Sequence, residues 1–130
     1  MSKIEFVVEK TGTGFSAYAT DEKLPIGTSG DTITELKKNI VDAYNSFAEL
    51  KGWNEVTIDD IIIKLDIPQF FEYFKIINAS VLGAKIGMDK TLISQYVHGR
   101  KKPGPKQVER ILMGIKELSQ ELSSLNLSIS

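Results

Sequence analysis

The stretch NASVLGAKIGMDKTLISQYVHGRKKP, residues 78–103, holds two short helical patterns separated by one glycine-bearing turn. Asn78 is a good N-cap, and Val81, Leu82 and Ile86 follow at helical spacing up to Gly87, a residue suited to the left-handed conformation that ends a helix. Met88 follows as an apolar plug. Asp89 then caps a second helix, Lys90 to His98, that stops at Gly99. Leu92, Ile93, Tyr96 and Val97 form its inner side, and Lys90, Thr91, Ser94 and Gln95 are left facing out.

Two short helices joined by a turn of three or four residues, with Arg100-Lys101-Lys102-Pro103 behind them, fit helix-turn-helix geometry. The second helix of such a pair enters the major groove with its first turn leading. Lys90, Thr91, Ser94 and Gln95 are then the base-contacting candidates. Glutamine bonds adenine bidentately, lysine donates to guanine, and threonine offers a hydroxyl or its methyl to thymine. Lys85, Arg100, Lys101, Lys102 and Lys106 would neutralise phosphates and fix register without reading sequence. From Lys85 to Lys106 there are 6 basic residues and one acid, Asp89. The plain alternative is a helical hairpin whose basic loop is merely solvated. The stretch resembles helix-turn-helix domains of the phage-repressor (XRE-like) type through Leu82-Gly83, Gly87, Ser94, Gly99 and the basic run to Pro103. Gly83 departs from that family's usual alanine, which weakens the first helix but keeps the spacing.

Downstream, a helix from near Pro105 to about Leu125 carries Val108, Ile111, Ile115, Leu118, Leu122 and Leu125 at alternating spacings of three and four. This heptad-like seam either packs on the neighbouring helices or forms a dimer contact, with Val108, Ile111, Ile115, Leu118 and Leu122 as the dimer candidates. A dimer would read a palindrome. The tail Asn126 to Ser130 is expected to fray. Upstream, Pro68 suits a first helical position, and Phe70, Phe71, Phe74, Ile76 and Ile77 make a short, heavily apolar helix.

Before Pro68 the period changes from helical to strand-like. Ile4, Phe6 and Val8 alternate with Glu5, Val7 and Glu9; Thr11-Gly12-Thr13-Gly14 reverses the chain; Phe15, Ala17 and Ala19 give a second strand. Leu24 to Thr28, with Pro25, reads as a short edge strand. Thr32 or Asp31 caps a helix with Glu35 completing a capping box, and Ile33, Leu36, Ile40, Tyr44, Phe47 and Leu50 follow. Val56 to Ile67 reads as a fourth strand bent at Asp59-Asp60. The expected fold is α+β: a βββαβ module over residues 1–67, then an all-α domain over residues 68–130.

The chain has 130 residues, 42% hydrophobic and 25% charged, which is an ordinary globular composition. Having no cysteine and the single histidine His98 argues against disulfides, cysteine-ligated zinc and a Ser-His-Asp triad. No secretory apolar region or membrane-spanning run is evident, so a soluble, cytoplasmic protein is expected. The net charge of -1 divides unequally: residues 1–67 carry 7 basic and 12 acidic residues, and residues 68–130 carry 9 and 5. Opposite charges on the two halves imply partners of opposite charge. Glu55, Asp59, Asp60 and Asp66 look at first like a metal set, but adjacent strand residues point to opposite faces, so they read as strand-edge charges. His98, at a helix end, reads as a cap or phosphate contact, and Gly12-Thr13-Gly14 as a hairpin turn rather than a phosphate loop. No catalytic residue, metal or cofactor is expected.

Taken whole, the chain resembles the HicB family of antitoxins, in the branch that carries a carboxy-terminal helix-turn-helix. The resemblance rests on Gly14-Phe15-Ser16-Ala17-Tyr18, on Gly30-Asp31-Thr32 with Glu35, on the βββαβ order, on the Asp66-Ile67-Pro68-Gln69-Phe70-Phe71 junction and on Asn78. Leu24-Pro25-Ile26-Gly27 is a reduced form of the family's Pro-Gly segment, which leaves the toxin-facing loop open. The resemblance implies a degenerate ribonuclease H-like module without catalysis. It would bind a small basic HicA-type mRNA-cleaving toxin in a type II toxin-antitoxin system, while the second domain represses the operon on double-stranded operator DNA as a homodimer or larger homo-oligomer. The rival reading is a plain repressor whose amino-terminal module senses a ligand or oligomerises.

Overall fold

Alternation of apolar and polar side chains produces β1 (Ile4–Lys10) and β2 (Phe15–Ala19), paired antiparallel with Val8 opposite Ala17. In the computed structural model, which describes residues 3–128, Thr11 closes the turn between them: its N–H donates to the Gly14 carbonyl at 2.7 Å, and its hydroxyl accepts from the Gly14 N–H at 3.0 Å. The third strand starts later than the pattern predicts. β3 is Gly27–Gly30, antiparallel to β2; Leu24 and Pro25 stay outside the ladder, and of Ile26 only the carbonyl reaches β2, accepting from the Ala19 N–H at 3.1 Å. The Leu24 N–H donates to the Asp21 carbonyl at 2.9 Å and the Ile26 N–H to the Leu24 carbonyl at 2.8 Å. Pro25 has no N–H to give.

Thr32 begins α1 (Ile33–Lys51), its hydroxyl accepting from the Glu35 N–H at 3.1 Å. Leu36, Ile40, Tyr44 and Ala48, four residues apart, form the buried stripe. They share the core with Phe6, Val8, Phe15 and Ala17 from one face of the sheet. A glycine is required where β3 meets the helix: a Cβ on Gly30 would lie 2.6 Å from the Leu36 backbone nitrogen. Gly14 is confined in the same way, since its Cβ would lie 2.5 Å from the Gly30 carbonyl oxygen. Gly52, at φ 70°, ends the helix in the left-handed region.

The expected long fourth strand is replaced by a 3-10 turn, Ile58–Asp60, and a short β4 (Ile61–Lys64). Asp60 makes the difference, because its carboxylate accepts from the Thr57 N–H at 2.9 Å and curls the backbone out of extended form. β4 pairs in parallel with β1, Ile4 opposite Ile61, so the mixed sheet has the order β3-β2-β1-β4. The fold class is α+β, with four strands and five α-helices among the described residues.

Two compact units divide between Gln69 and Phe70, inside α2 (Ile67–Tyr73). Asp66 starts this helix by accepting from the Gln69 N–H at 2.9 Å, and Pro68 stands second in it. The helix expected to reach Ile77 ends at Tyr73, because Asn78 must be extended to cap the next helix; Ile76 is left 94% exposed. The second unit continues with α3 (Ala79–Lys85), α4 (Lys90–Val97) and α5 (Pro105–Ser123). α4 stops one residue before the expected His98, which is its C-cap, and α5 stops short of Leu125. Residues 125–128 have no regular structure; of the tail expected to fray, 129 and 130 lie outside the described residues. Among the described residues no helix is long and apolar enough to cross a membrane.

Gly30→Ala is expected to destabilise the first unit by about 1–3 kcal/mol, the usual penalty of forcing a methyl into a filled site. Gly12→Ala, whose Cβ would meet nothing within 4 Å, should leave stability nearly unchanged. Urea unfolding followed by emission of Trp53, the single tryptophan, reads both.

Candidate nucleic-acid interface

The interface begins with caps. The Asn78 side chain accepts from the Val81 N–H at 3.1 Å, and the Asp89 carboxylate accepts from the Thr91 N–H at 3.0 Å, fixing the starts of α3 and α4. Between them Gly87 adopts φ 72°, the Met88 N–H returns to the Gly83 carbonyl at 2.8 Å, and the Met88 side chain is buried. This left-handed closure gives α3 and α4 a turn with few free torsions. Ile93 and Tyr96 anchor α4 from its buried side.

Glycines set how closely the helices approach. A Cβ on Gly83 would stand 3.0 Å from Ile93 Cγ2, so Gly83 sits where α3 and α4 nearly touch. On α5, a Cβ on Gly114 would stand 2.5 Å from Ile86 Cγ2. Arg110, one helical turn before Gly114, donates from Nη2 to the Ile86 carbonyl at 2.9 Å and to the Gly87 carbonyl at 3.2 Å. Its Nη1 donates to Gln107 Oε1 at 2.9 Å. The guanidinium therefore satisfies carbonyls that the end of α3 leaves open, and ties α5 to the turn. The sequence gives no sign of this role, because nothing local in α5 distinguishes Arg110 from a solvated arginine.

On the outer side of α4, Lys90 and Thr91 are exposed in the first turn, with Ser94 and Gln95 half-buried one turn later. The four occupy one strip, since residues four apart stack along a helix face. Ser94 is engaged at its own helix end: its carbonyl lies 2.8 Å and its hydroxyl 3.4 Å from His98 Nδ1. The Gln95 carbonyl accepts from the Arg100 N–H at 2.9 Å and the Lys101 N–H at 3.3 Å, which folds the basic loop back toward the strip. Arg100, Lys101, Lys102 and Lys106 are exposed, and none has an acidic partner within ion-pair distance among the described residues. Lys85 differs, with Nζ 3.4 Å from both carboxylate oxygens of Glu121. Such an exposed pair is worth little.

Of the α5 seam, Ile111 is buried within its own unit, Ile115 and Leu118 are half-buried, and Val108 and Leu122 are exposed at 41% and 61%. Leu112 and Met113 add exposed apolar surface outside the heptad positions. Two of the acids that resemble a metal set have local work: Asp60 and Asp66 accept backbone N–H groups. Among the described residues no cluster of three or more His, Cys, Asp or Glu could hold a metal ion. No protein-family model matches the chain, and no curated protein matches it.

Gly114→Ala should destabilise the second unit by about 1–3 kcal/mol, because the branched Ile86 side chain has no flexible end to withdraw. Arg110→Ala should lose about 1 kcal/mol by leaving two carbonyls uncapped. Thermal unfolding by circular dichroism at 222 nm measures both against Lys116→Ala on the exposed side of the same helix.

Proposed function

We propose that the chain is a HicB-type antitoxin and autorepressor. Its second unit is a helix-turn-helix domain that reads operator DNA through α4. Its first unit is a toxin-binding module that sequesters a small basic HicA-type mRNA-cleaving toxin. The observation that carries the DNA reading is the strip of Lys90, Thr91, Ser94 and Gln95 on a capped helix, beside a basic loop without acidic partners among the described residues. Phosphate contacts supply affinity and orientation, and the strip supplies base contacts.

Charge supports the division of labour. Up to Gln69 the chain carries 7 basic and 12 acidic residues, and from Phe70 onward 9 basic and 5 acidic. Complementary charge speeds encounter, the acidic unit with a basic toxin and the basic unit with a polyanion. The exposed Val108 and Leu122 suit a homodimer that presents two α4 helices to a palindrome. In this reading the protein is not an enzyme and needs no cofactor.

Binding of the full chain to the DNA upstream of its own reading frame, followed by fluorescence anisotropy, tests the DNA half. Affinity should fall steeply with salt. Lys90→Ala and Gln95→Ala should each relax discrimination by about 1–3 kcal/mol at one base position, whereas Lys101→Ala should weaken all sequences alike and reduce the salt slope by about 1. Unchanged operator preference in the Lys90→Ala, Gln95→Ala double variant would sink the groove assignment. Expression with the natural flanking frames tests the other half: a small basic protein should co-purify, and recovery of the chain alone would favour a plain repressor.

A further inference from the structure

The first unit holds an open cleft of about 530 Å³ beside the end of α1, lined by Asp21, Leu24, Tyr44, Gly52, Trp53 and Asn54. Its wall is built rigidly. The left-handed Gly52 turns the chain back, and the Trp53 N–H donates to the Ala48 carbonyl at 2.9 Å. Asn45 then grips the next strand of backbone from both sides: its Oδ1 accepts from the Val56 N–H at 2.8 Å and its Nδ2 donates to the Val56 carbonyl at 3.1 Å. The segment carrying Trp53 and Asn54 is thus fixed at both ends.

The indole is braced and yet open. Phe47 meets Trp53 edge-on at 5.6 Å between centroids and Tyr44 lies at 6.4 Å, while Trp53 remains 45% exposed. Lys51 is seated over the Phe47 ring, 5.6 Å from its centroid, outside the cleft lining. Around the cleft, hydrogen-bonding capacity is unspent. Asp21 accepts from the Lys23 N–H at 2.9 Å through Oδ1 only, leaving Oδ2. The Tyr44 hydroxyl and the Asn54 carboxamide make no side-chain hydrogen bond to another described residue.

A carboxylate oxygen, a carboxamide, a phenol and an exposed indole in one cleft are the complement of a planar cation. A guanidinium stacks on an indole face and donates in a fixed fork to carboxylate and amide oxygens. The excess of acidic residues in this unit opposes a phosphate-bearing ligand. The single carboxylate in the lining is too few for a metal. A lysine ammonium would pair with Asp21 but present no plane to Trp53. We propose that the cleft receives an arginine side chain of the basic protein partner. The partner's identity rests on the sequestration reading above; recognition of a guanidinium rests on the cleft itself. An arginine held there would act as an anchor of the interface, the kind of contact whose loss weakens binding about ten-fold or more.

Trp53 reports on its own site as the only tryptophan. Titration of the full chain with N-acetyl-arginine methylamide at constant ionic strength should change its emission saturably. The lysine analogue, which pairs with Asp21 but has no plane to stack, should respond more weakly, and the uncharged citrulline isostere not at all. Asp21→Asn keeps the oxygen that accepts from Lys23 and should abolish the arginine response without moving the urea midpoint; Asp21→Lys should abolish the response as well. An absent response, or one equally strong with the lysine analogue or with citrulline, overturns the proposal. With the co-purified basic partner, Asp21→Lys should weaken binding about ten-fold or more. Equal binding by wild type and Asp21→Lys overturns the cleft while leaving sequestration standing. Absence of any basic partner overturns sequestration, and the arginine titration then decides on the cleft alone.

Discussion

The approach of β3 to α1 at Gly30 is the constraint on which the first unit is built. With no Cβ, the backbone of β3 can pass close beneath Leu36, and the helix can lie near enough to the sheet for its stripe to meet the sheet's inner face. Phe6, Val8, Phe15, Leu36 and Ile40 are all essentially inaccessible as a result. Interiors of this density respond to a single added carbon, because neighbouring atoms have no space to yield. Thr32 begins the helix two residues after Gly30, so the same short hinge sets both its depth and its starting point. Where the helix starts also determines where Gly52 ends it, and so where Trp53 is delivered.

The starts of α1, α3 and α4 were legible in the sequence because each is set by a side chain acting on its own neighbourhood. Thr32, Asn78 and Asp89 cap as their types and positions imply, and Gly87 and Gly99 take positive φ as helix-ending glycines do. The α+β class was legible in the change of period. What was not legible depends on residues distant in sequence or on competition between neighbours. Ile61, Ile63, Leu65 and Ile67 alternate as a strand would, yet Asp60 caps a 3-10 turn before them and Asp66 starts a helix among them, leaving four residues for the ladder. Likewise, alternation cannot reveal that β4 lies parallel to β1. The roles of Arg110 and Asn45 are invisible for the same reason: each acts on a carbonyl or N–H that only the folded chain brings near.

In the second unit, packing and presentation are assigned to different faces of the same helices. α3 approaches α4 through Gly83 and meets α5 at Gly114, so helix positions depend on backbone closeness more than on large interlocking side chains. Lys90 and Thr91 take no part in that packing. Exposed positions of this kind tolerate exchange at little cost to stability. If α4 reads DNA as proposed, its preference can change through these residues while the helical frame stays fixed.

The place of β1 in the sheet has a consequence for how the chain comes into being. β1 is made first and finds β2 across a short turn, but its other edge waits for β4, with Ile4 facing Ile61. During synthesis the acidic unit cannot close until the chain has left the ribosome past Lys64, and a chain broken anywhere within α1 keeps a bare strand edge along β1. Bare edges of this kind invite pairing with other chains and attack by proteases, so fragments ending within α1 should be removed rather than persist.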